Sequence, residues 1–261
     1  MIIISLACIL PLLWMISSSL KTQSTVFSNM SLFVLKPCWH NYVVAWIKGN
    51  FGIYFLNSIF YTVTVVGGIV LISSLAAYAF ARLEFPFKNL LFFLLLAPMM
   101  IPIPGGFVAL YVLLNKMHLI NTRIGYILPQ INAGLAMSIF LLKSFFEKIP
   151  RDLEDSAKID GCTRLGIYWH LCLPLAKPAL AIVVIYNALY VWNEYLLAML
   201  VLSDKSLMPL TRGLMIFHGE HVTQYPILMA GMCIATIPII LLYLLMQKHI
   251  VEGVMRGAVK G

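Results

Sequence analysis

Residues 54–81 read YFLNSIFYTVTVVGGIVLISSLAAYAFA, without a single acidic or basic side chain. A helix of that length rises about 42 Å at roughly 1.5 Å per residue, more than the roughly 30 Å of hydrocarbon in a bilayer. Lipid offers no hydrogen bonds to a bare backbone, so a stretch of this kind satisfies itself as a helix. The rest of the chain repeats the pattern. Of its 261 residues 61% are hydrophobic and 11% charged, where soluble domains carry about one quarter charged residues.

Six such blocks stand out, at about 1–19, 54–81, 90–114, 124–145, 178–201 and 227–247. They predict an all-α membrane protein of six transmembrane helices in a single domain, 1–261. The first block has the length of a signal-peptide core, but no small-residue cleavage site follows it and Trp14 lies within it, so it reads as a helix. Its missing charged leader points to residues preceding Met1. In the third block Pro98, Pro102, Pro104, Gly105 and Gly106 form a run of breakers. That run is either a kinked helix end or a flexible gate beside a pathway, and in both cases it faces protein or water.

An even number of crossings puts both termini on one side. With that side cytoplasmic, eleven of the 18 Lys and Arg residues fall inside, among them Arg82, Lys88, Lys148, Arg151 and Lys158. Positive charge concentrates in cytoplasmic loops, which favours this orientation in a bacterial inner membrane. The formal charge of +8 is spread singly between apolar blocks, with no basic-aromatic platform, so no nucleic-acid partner is expected. Cys8, Cys38, Cys162, Cys172 and Cys233 make no disulfide framework, since only Cys38 falls clearly in an outside loop.

The loop 146–177 carries the most information. Pro150 suits a first helical turn, Asp152, Glu154 and Asp155 suit the positive end of a helix dipole, and Gly161 suits the residue after a helix end. The expectation is a short helix, a sharp turn, and a second helix from near Thr163 to a stop at Leu173-Pro174. Two stiff helices joined by a tight turn pass on a partner's movement where a slack loop absorbs it. Periodicity alone reads the charged face of the first helix as a solvated surface.

The segment Glu154-Asp155-Ser156-Ala157-Lys158-Ile159-Asp160-Gly161, followed after nine residues by Leu171-Cys172-Leu173-Pro174, resembles the EAA loop of ABC-importer permeases. That pattern runs Glu-Ala-Ala, three residues, Gly, nine residues, Ile-x-Leu-Pro. Asp155, Ser156 and Leu171 depart from it mildly. Further segments are similar to the carbohydrate branch, on the side of the smaller maltose-type permease subunit: Trp14–Thr22, Asn57-Ser58, Arg82–Pro86, Trp192–Tyr195 and the tail Gly253–Gly261. The resemblance implies a permease subunit with a second related permease, two cytoplasmic ATPase subunits and an extracytoplasmic substrate-binding protein. It also implies that Glu154, Asp155, Ser156, Ala157, Lys158, Asp160, Gly161, Leu173 and Pro174 form the ATPase-coupling element, and that the tail and the outside loop 202–226 meet the ATPase pair and the binding protein.

The chain has no Gly-Lys dipeptide and therefore no phosphate-cradling P-loop. ATP and Mg2+ belong to the partner ATPase, and this chain carries no cofactor or metal. His218 and His221, three apart in an outside loop, read as solvated polar residues. No metal helix, nucleophile elbow or Cys-x-x-Cys pair equips a membrane enzyme.

A sugar needs hydrogen-bonding groups beside aromatic faces. Tyr186, Tyr190 and Asn193 fall at i, i+4, i+7, and Asn187, Tyr190 and Glu194 at i, i+3, i+7. Such a stripe is expected to face the bundle or a cavity. It stands either as helix-helix glue or as lining of a translocation path, and the same choice applies to Asn57, Gln130 and Asn132. An importer of glycerol phosphate or of a sugar-like osmolyte fits the same architecture, and a stand-alone secondary transporter remains the more distant reading.

Overall fold

The computed structural model describes the backbone of residues 2–100, 105–217 and 223–258, and the described residues form helices with no extended sheet. Pro102, Pro104, the His218 and His221 pair and the last residues of the tail lie outside the described residues. The helices are α1 (Ile2–Ser19), α2 (His40–Lys48), α3 (Phe51–Arg82), α4 (Lys88–Met100), α5 (Gly106–Lys116) and α6 (Arg123–Glu147). There follow α7 (Arg151–Ile159), α8 (Arg164–Ile167), α9 (Leu173–Leu175), α10 (Lys177–Asn193), α11 (Leu196–Val201), α12 (Leu210–Leu214) and α13 (Tyr225–Ala258). Three of them are long and apolar enough to cross a membrane: Phe51–Arg82, Arg123–Phe146 and Tyr225–Lys248.

The blocks expected at 90–114 and 178–201 are not single helices. The first is divided into α4 and α5, with Gly105 at φ 74° just before α5, a conformation that costs glycine nothing. The second breaks after Asn193, because the Glu194 carboxylate accepts the Leu197 amide at 2.7 Å and starts a separate helix, α11. The stretch expected as loop between residues 20 and 53 contains α2. The stop expected at Leu173-Pro174 falls one residue later, after Leu175: residues Tyr168–Cys172 widen into a π turn, in which the Leu173 amide bonds the Tyr168 carbonyl. Pro174 has no N–H, and the wider turn carries the chain past it to Leu175. A 75° bend then separates Arg164–Leu175 from Lys177–Asn193. It falls where Pro178 leaves the Pro174 carbonyl without its helical donor.

The chain divides into two compact units, Met1–Phe60 with Trp192–Leu241, and Tyr61–Val191 with Leu242–Gly261. In the first, Ala45, Phe51, Tyr54, Trp192, Met208, Leu210, Phe217 and Ala230 make the core. Gly213 lets Tyr54 approach, since a Cβ there would meet the ring at 2.2 Å. In the second, the Tyr61 and Tyr126 rings meet edge-on at 4.7 Å and Tyr78 lies against Phe146 and Tyr168. Gly134 of α6 leaves room for Ile69 and for the Asn187 amide, which a Cβ would meet at 2.4 and 2.3 Å.

Candidate functional site

Within the second unit, α7, its turn and the segment Arg164–Leu175 form a helical hairpin on the last turns of α3. The turn is built as the sequence predicts. The Gly161 amide bonds the Lys158 carbonyl and the Cys162 amide bonds the Ala157 carbonyl, with Gly161 at φ 82°. This pair of bonds closes a helix on a left-handed residue, where an L side chain is strained. Thr163 then caps α8 by accepting the Gly166 amide at 3.1 Å.

Glu154 stands apart from the rest of its helix. Its residue is 7% exposed, and its carboxylate lies 2.6 Å from Nε of Arg82, itself buried at the end of α3. Arg82 also donates through Nη2 to the Ile149 carbonyl. A carboxylate and a guanidinium are expensive to take out of water, and their mutual attraction offsets that cost only when both are present and well bonded. The first helix of the hairpin is thus bolted to α3 by charge. The second is held by neutral contacts: Tyr168 Oη and Ser74 Oγ share a hydrogen bond of 2.8 Å, and Tyr78 Oη donates to the Arg164 carbonyl. Cys172 sits against Glu154, with Sγ 3.7 Å from the carboxylate; burial, and then the Glu154 charge, push this thiol up to about 12.

The remaining coupling residues face outward. Asp155, Ser156, Lys158, Asp160 and Gly161 line the exposed side of the hairpin, with Ala157 half-buried. Lys158 reaches back to Asp155 at 2.7 Å, and this pairing holds the Asp155 carboxyl below the usual carboxylate range. Leu173 is half-buried and Pro174 exposed. Between the charges protrude Leu153, Ile159, Leu165 and Trp169, with Ile159 86% exposed. Charged groups around protruding apolar side chains make a face suited to another protein. Periodicity alone reads the charged face of α7 as a solvated surface, and Glu154 is internal instead. Arg82, which the sequence shows only as one more positive charge at a span end, is the residue that sequence reasoning missed.

Asn57 donates to the carbonyls of Ser206 and Met208 at 2.7 and 3.0 Å, and neighbouring Ser58 accepts the Leu210 amide. Asn187 is fully buried, donating to Ser138 Oγ and to the Val183 carbonyl, and Gln130 is buried with its amide on the Tyr126 carbonyl. The stripe joining Asn187 to Tyr190 and Glu194 therefore splits: Asn187 enters the bundle and Glu194 caps α11. Tyr186, Tyr190 and Asn193 lie along one exposed side of α10, about 100° around the helix from Asn187. The polar stripe was expected to face the bundle or a cavity; Asn187 enters the bundle, while Tyr186, Tyr190 and Asn193 are exposed in this subunit. Asn132 is exposed and lines a cleft of about 500 Å³ between α4 and α6, with Leu94, Pro98 and Met99.

The residue profile described as the binding-protein-dependent transport system inner membrane component matches residues 68–256, hairpin included. The chain belongs to that family. This inner membrane component is 34% identical over 98% of its length to the diacetylchitobiose uptake system permease protein NgcG of Streptomyces coelicolor, 86% of which is covered. It is 30% identical over 99% of its length to the melibiose/raffinose/stachyose import permease protein MelC of Bacillus subtilis, 94% of which is covered. A chain in the crystal structure of a bacterial ABC transporter involved in alginate import shares its fold, with a TM-score of 0.83 over 94% of this chain and 92% of that one at 24% identity. It is a transport subunit and not an enzyme.

Proposed function

We propose that this inner membrane component is one permease subunit of an ATP-driven carbohydrate importer, crossing the membrane six times with both termini in the cytoplasm. The observation that carries the reading is the hairpin: a stiff, charge-bolted element with an outward face of Asp155, Lys158, Ile159, Leu165 and Trp169 on a chain of this family. In this reading the hairpin is cytoplasmic and receives the closing motion of two ATPase subunits, which bind ATP and Mg2+. Arg82 and Glu154 pass that motion to α3. A second related permease completes the path, and a substrate-binding protein delivers the cargo from outside.

The cargo is assigned to carbohydrates on two grounds. Relatives matched over nearly the whole chain are named for diacetylchitobiose, for melibiose, raffinose and stachyose, and for arabinooligosaccharides. The exposed side of α10 presents two phenol rings and an amide, a combination that suits sugar faces and hydroxyls. Tyr186, Tyr190, Asn193 and Asn132 are proposed to line the path, whereas Asn57 and Asn187 bond distant parts of the chain, Gln130 bonds back within α6 and Glu194 caps α11. The test is coupled uptake by the reconstituted complex. Gly161→Pro and Asp155→Lys are expected to separate ATP hydrolysis from uptake or to prevent ATPase binding, and Tyr190→Ala to lower uptake with assembly intact. Normal coupled transport in both hairpin variants would refute the coupling assignment.

A further inference from the structure

Helix α2 is amphipathic with its apolar side turned away from the protein. Trp39, Val43, Trp46 and Ile47, at i, i+4, i+7 and i+8, form one stripe and are 64, 50, 45 and 67% exposed. The opposite side is the packed one, where Asn41 and Ala45 are buried. Ordinary surface helices do the reverse.

The position of α2 along the chain explains this. Asn41 donates to the carbonyls of Ser19 and Lys21 at 2.7 and 2.8 Å, and the Cys38 amide bonds the Leu20 carbonyl, so α2 is stitched to the end of α1. Only two residues separate the end of α2 from the start of α3. A nine-residue helix about 14 Å long is thus held where two apolar helices meet water. Tryptophan is enriched at that depth, and an outward apolar stripe there has acyl chains to rest on. The charges agree. Between residues 20 and 53 there is no acidic side chain, Lys36 and Lys48 are exposed at either end of α2, and His40 is exposed beside the stripe. Lys21, the remaining cation, is spent internally on the Asn29 carbonyl.

We propose that α2 is an interfacial anchor. Its Trp39, Val43, Trp46 and Ile47 stripe lies at the boundary of headgroups and acyl chains, and Lys36 and Lys48 bind the phosphates of anionic phospholipids. The assignment requires a membrane protein, which family membership supplies, and does not depend on the cargo or on the hairpin.

The test places a nitroxide at Val43→Cys or Ile47→Cys, one at a time, in the assembled transporter with its native cysteines replaced. The complex is reconstituted in bilayers of phosphatidylcholine with or without phosphatidylglycerol. Both positions are exposed, so the label disturbs no packing. Collisions with oxygen are expected to outweigh those with a water-soluble nickel chelate, with depths of about 5–10 Å below the headgroups. Replacing Lys36 and Lys48 by Gln is expected to shift the label toward water in the phosphatidylglycerol bilayer and to leave it unmoved in pure phosphatidylcholine. Preferential collision with the nickel chelate would overturn the proposal. So would exclusion of both reagents, which is the signature of a covering protein, or an identical Lys response in the two bilayers.

Discussion

Two regions of this molecule are tied down next to the ends of apolar helices, and they are tied by different means. The hairpin Arg151–Leu175 is fastened through a buried ion pair, Arg82 to Glu154, found 72 positions apart in the chain. Helix α2 is fastened beside the end of α1 by neutral hydrogen bonds, from Asn41 to two carbonyls and between Ser19 and Tyr42 at 2.7 Å. An amide that loses its partner can turn to another or to water, whereas a buried charge that loses its partner has no comparable refuge. The charged bolt therefore fails abruptly and the neutral stitching fails by degrees, which suits one region to transmitting force and the other to holding a position.

The largest expected effect follows from breaking the bolt on one side. Arg82→Leu leaves Glu154 buried without a counter-charge and is expected to destabilise the subunit by about 3–5 kcal/mol, read as a loss in the denaturation midpoint of the purified complex. Arg82→Leu combined with Glu154→Leu is expected to recover most of that stability, because an apolar pair needs no compensation. If the double variant is as unstable as the single one, the pair is not the bolt. On the neutral side, Asn41→Leu strands the Ser19 and Lys21 carbonyls and is expected to cost about 1–3 kcal/mol in the same assay. A loss equal to that of Arg82→Leu would erase the contrast.

Gly161→Ala asks an L residue to hold φ 82° and is expected to cost about 1–2 kcal/mol, with ATPase coupling reduced more than subunit stability. An Ala variant as active as wild type would show that the turn is slack. The smallest effect belongs to the exposed Asp155–Lys158 pair. The Asp155 pKa is lowered in the folded protein, so the pair's contribution is present above the unfolded carboxyl value and is lost as pH falls through the folded one. Helix content of the hairpin is expected to be flat with pH above about 4 and to soften only below it, and less so in Asp155→Asn. Softening near neutral pH would assign the titration to another group.

Much of the hairpin is legible in the sequence because its signals are local. Pro150, Gly161 and Thr163 each act within a few residues, and each does in the structure what its chemistry allows. The fate of Glu154 is not local. Periodicity places it on a polar helix face but cannot reveal that Arg82 comes to meet it. The same limit governs Asn57, whose hydrogen bonds reach 149 and 151 residues along the chain. Hydropathy reads 178–201 as one block because an acid within an apolar run lowers the average only slightly, while Glu194 acts by capping. Helix α2 escaped notice since Trp39 offers no side-chain cap and nine residues are too few to stand out, although its stripe is visible once the period is applied.

The central claim is that the hairpin faces the cytoplasm as the receiver of an external motor, and thiol sidedness tests it most directly. Cys162 is exposed at the hairpin turn, Cys38 lies partly exposed before α2, and Cys172 is buried with its thiol pushed up to about 12. Variants retaining only Cys162 or only Cys38 are treated with an impermeant maleimide in right-side-out and inverted membrane vesicles. Labelling of Cys162 in inverted vesicles alone, blocked when the ATPase subunits are bound, and of Cys38 in right-side-out vesicles alone, is the predicted result. Labelling of Cys162 from the outside would contradict the account.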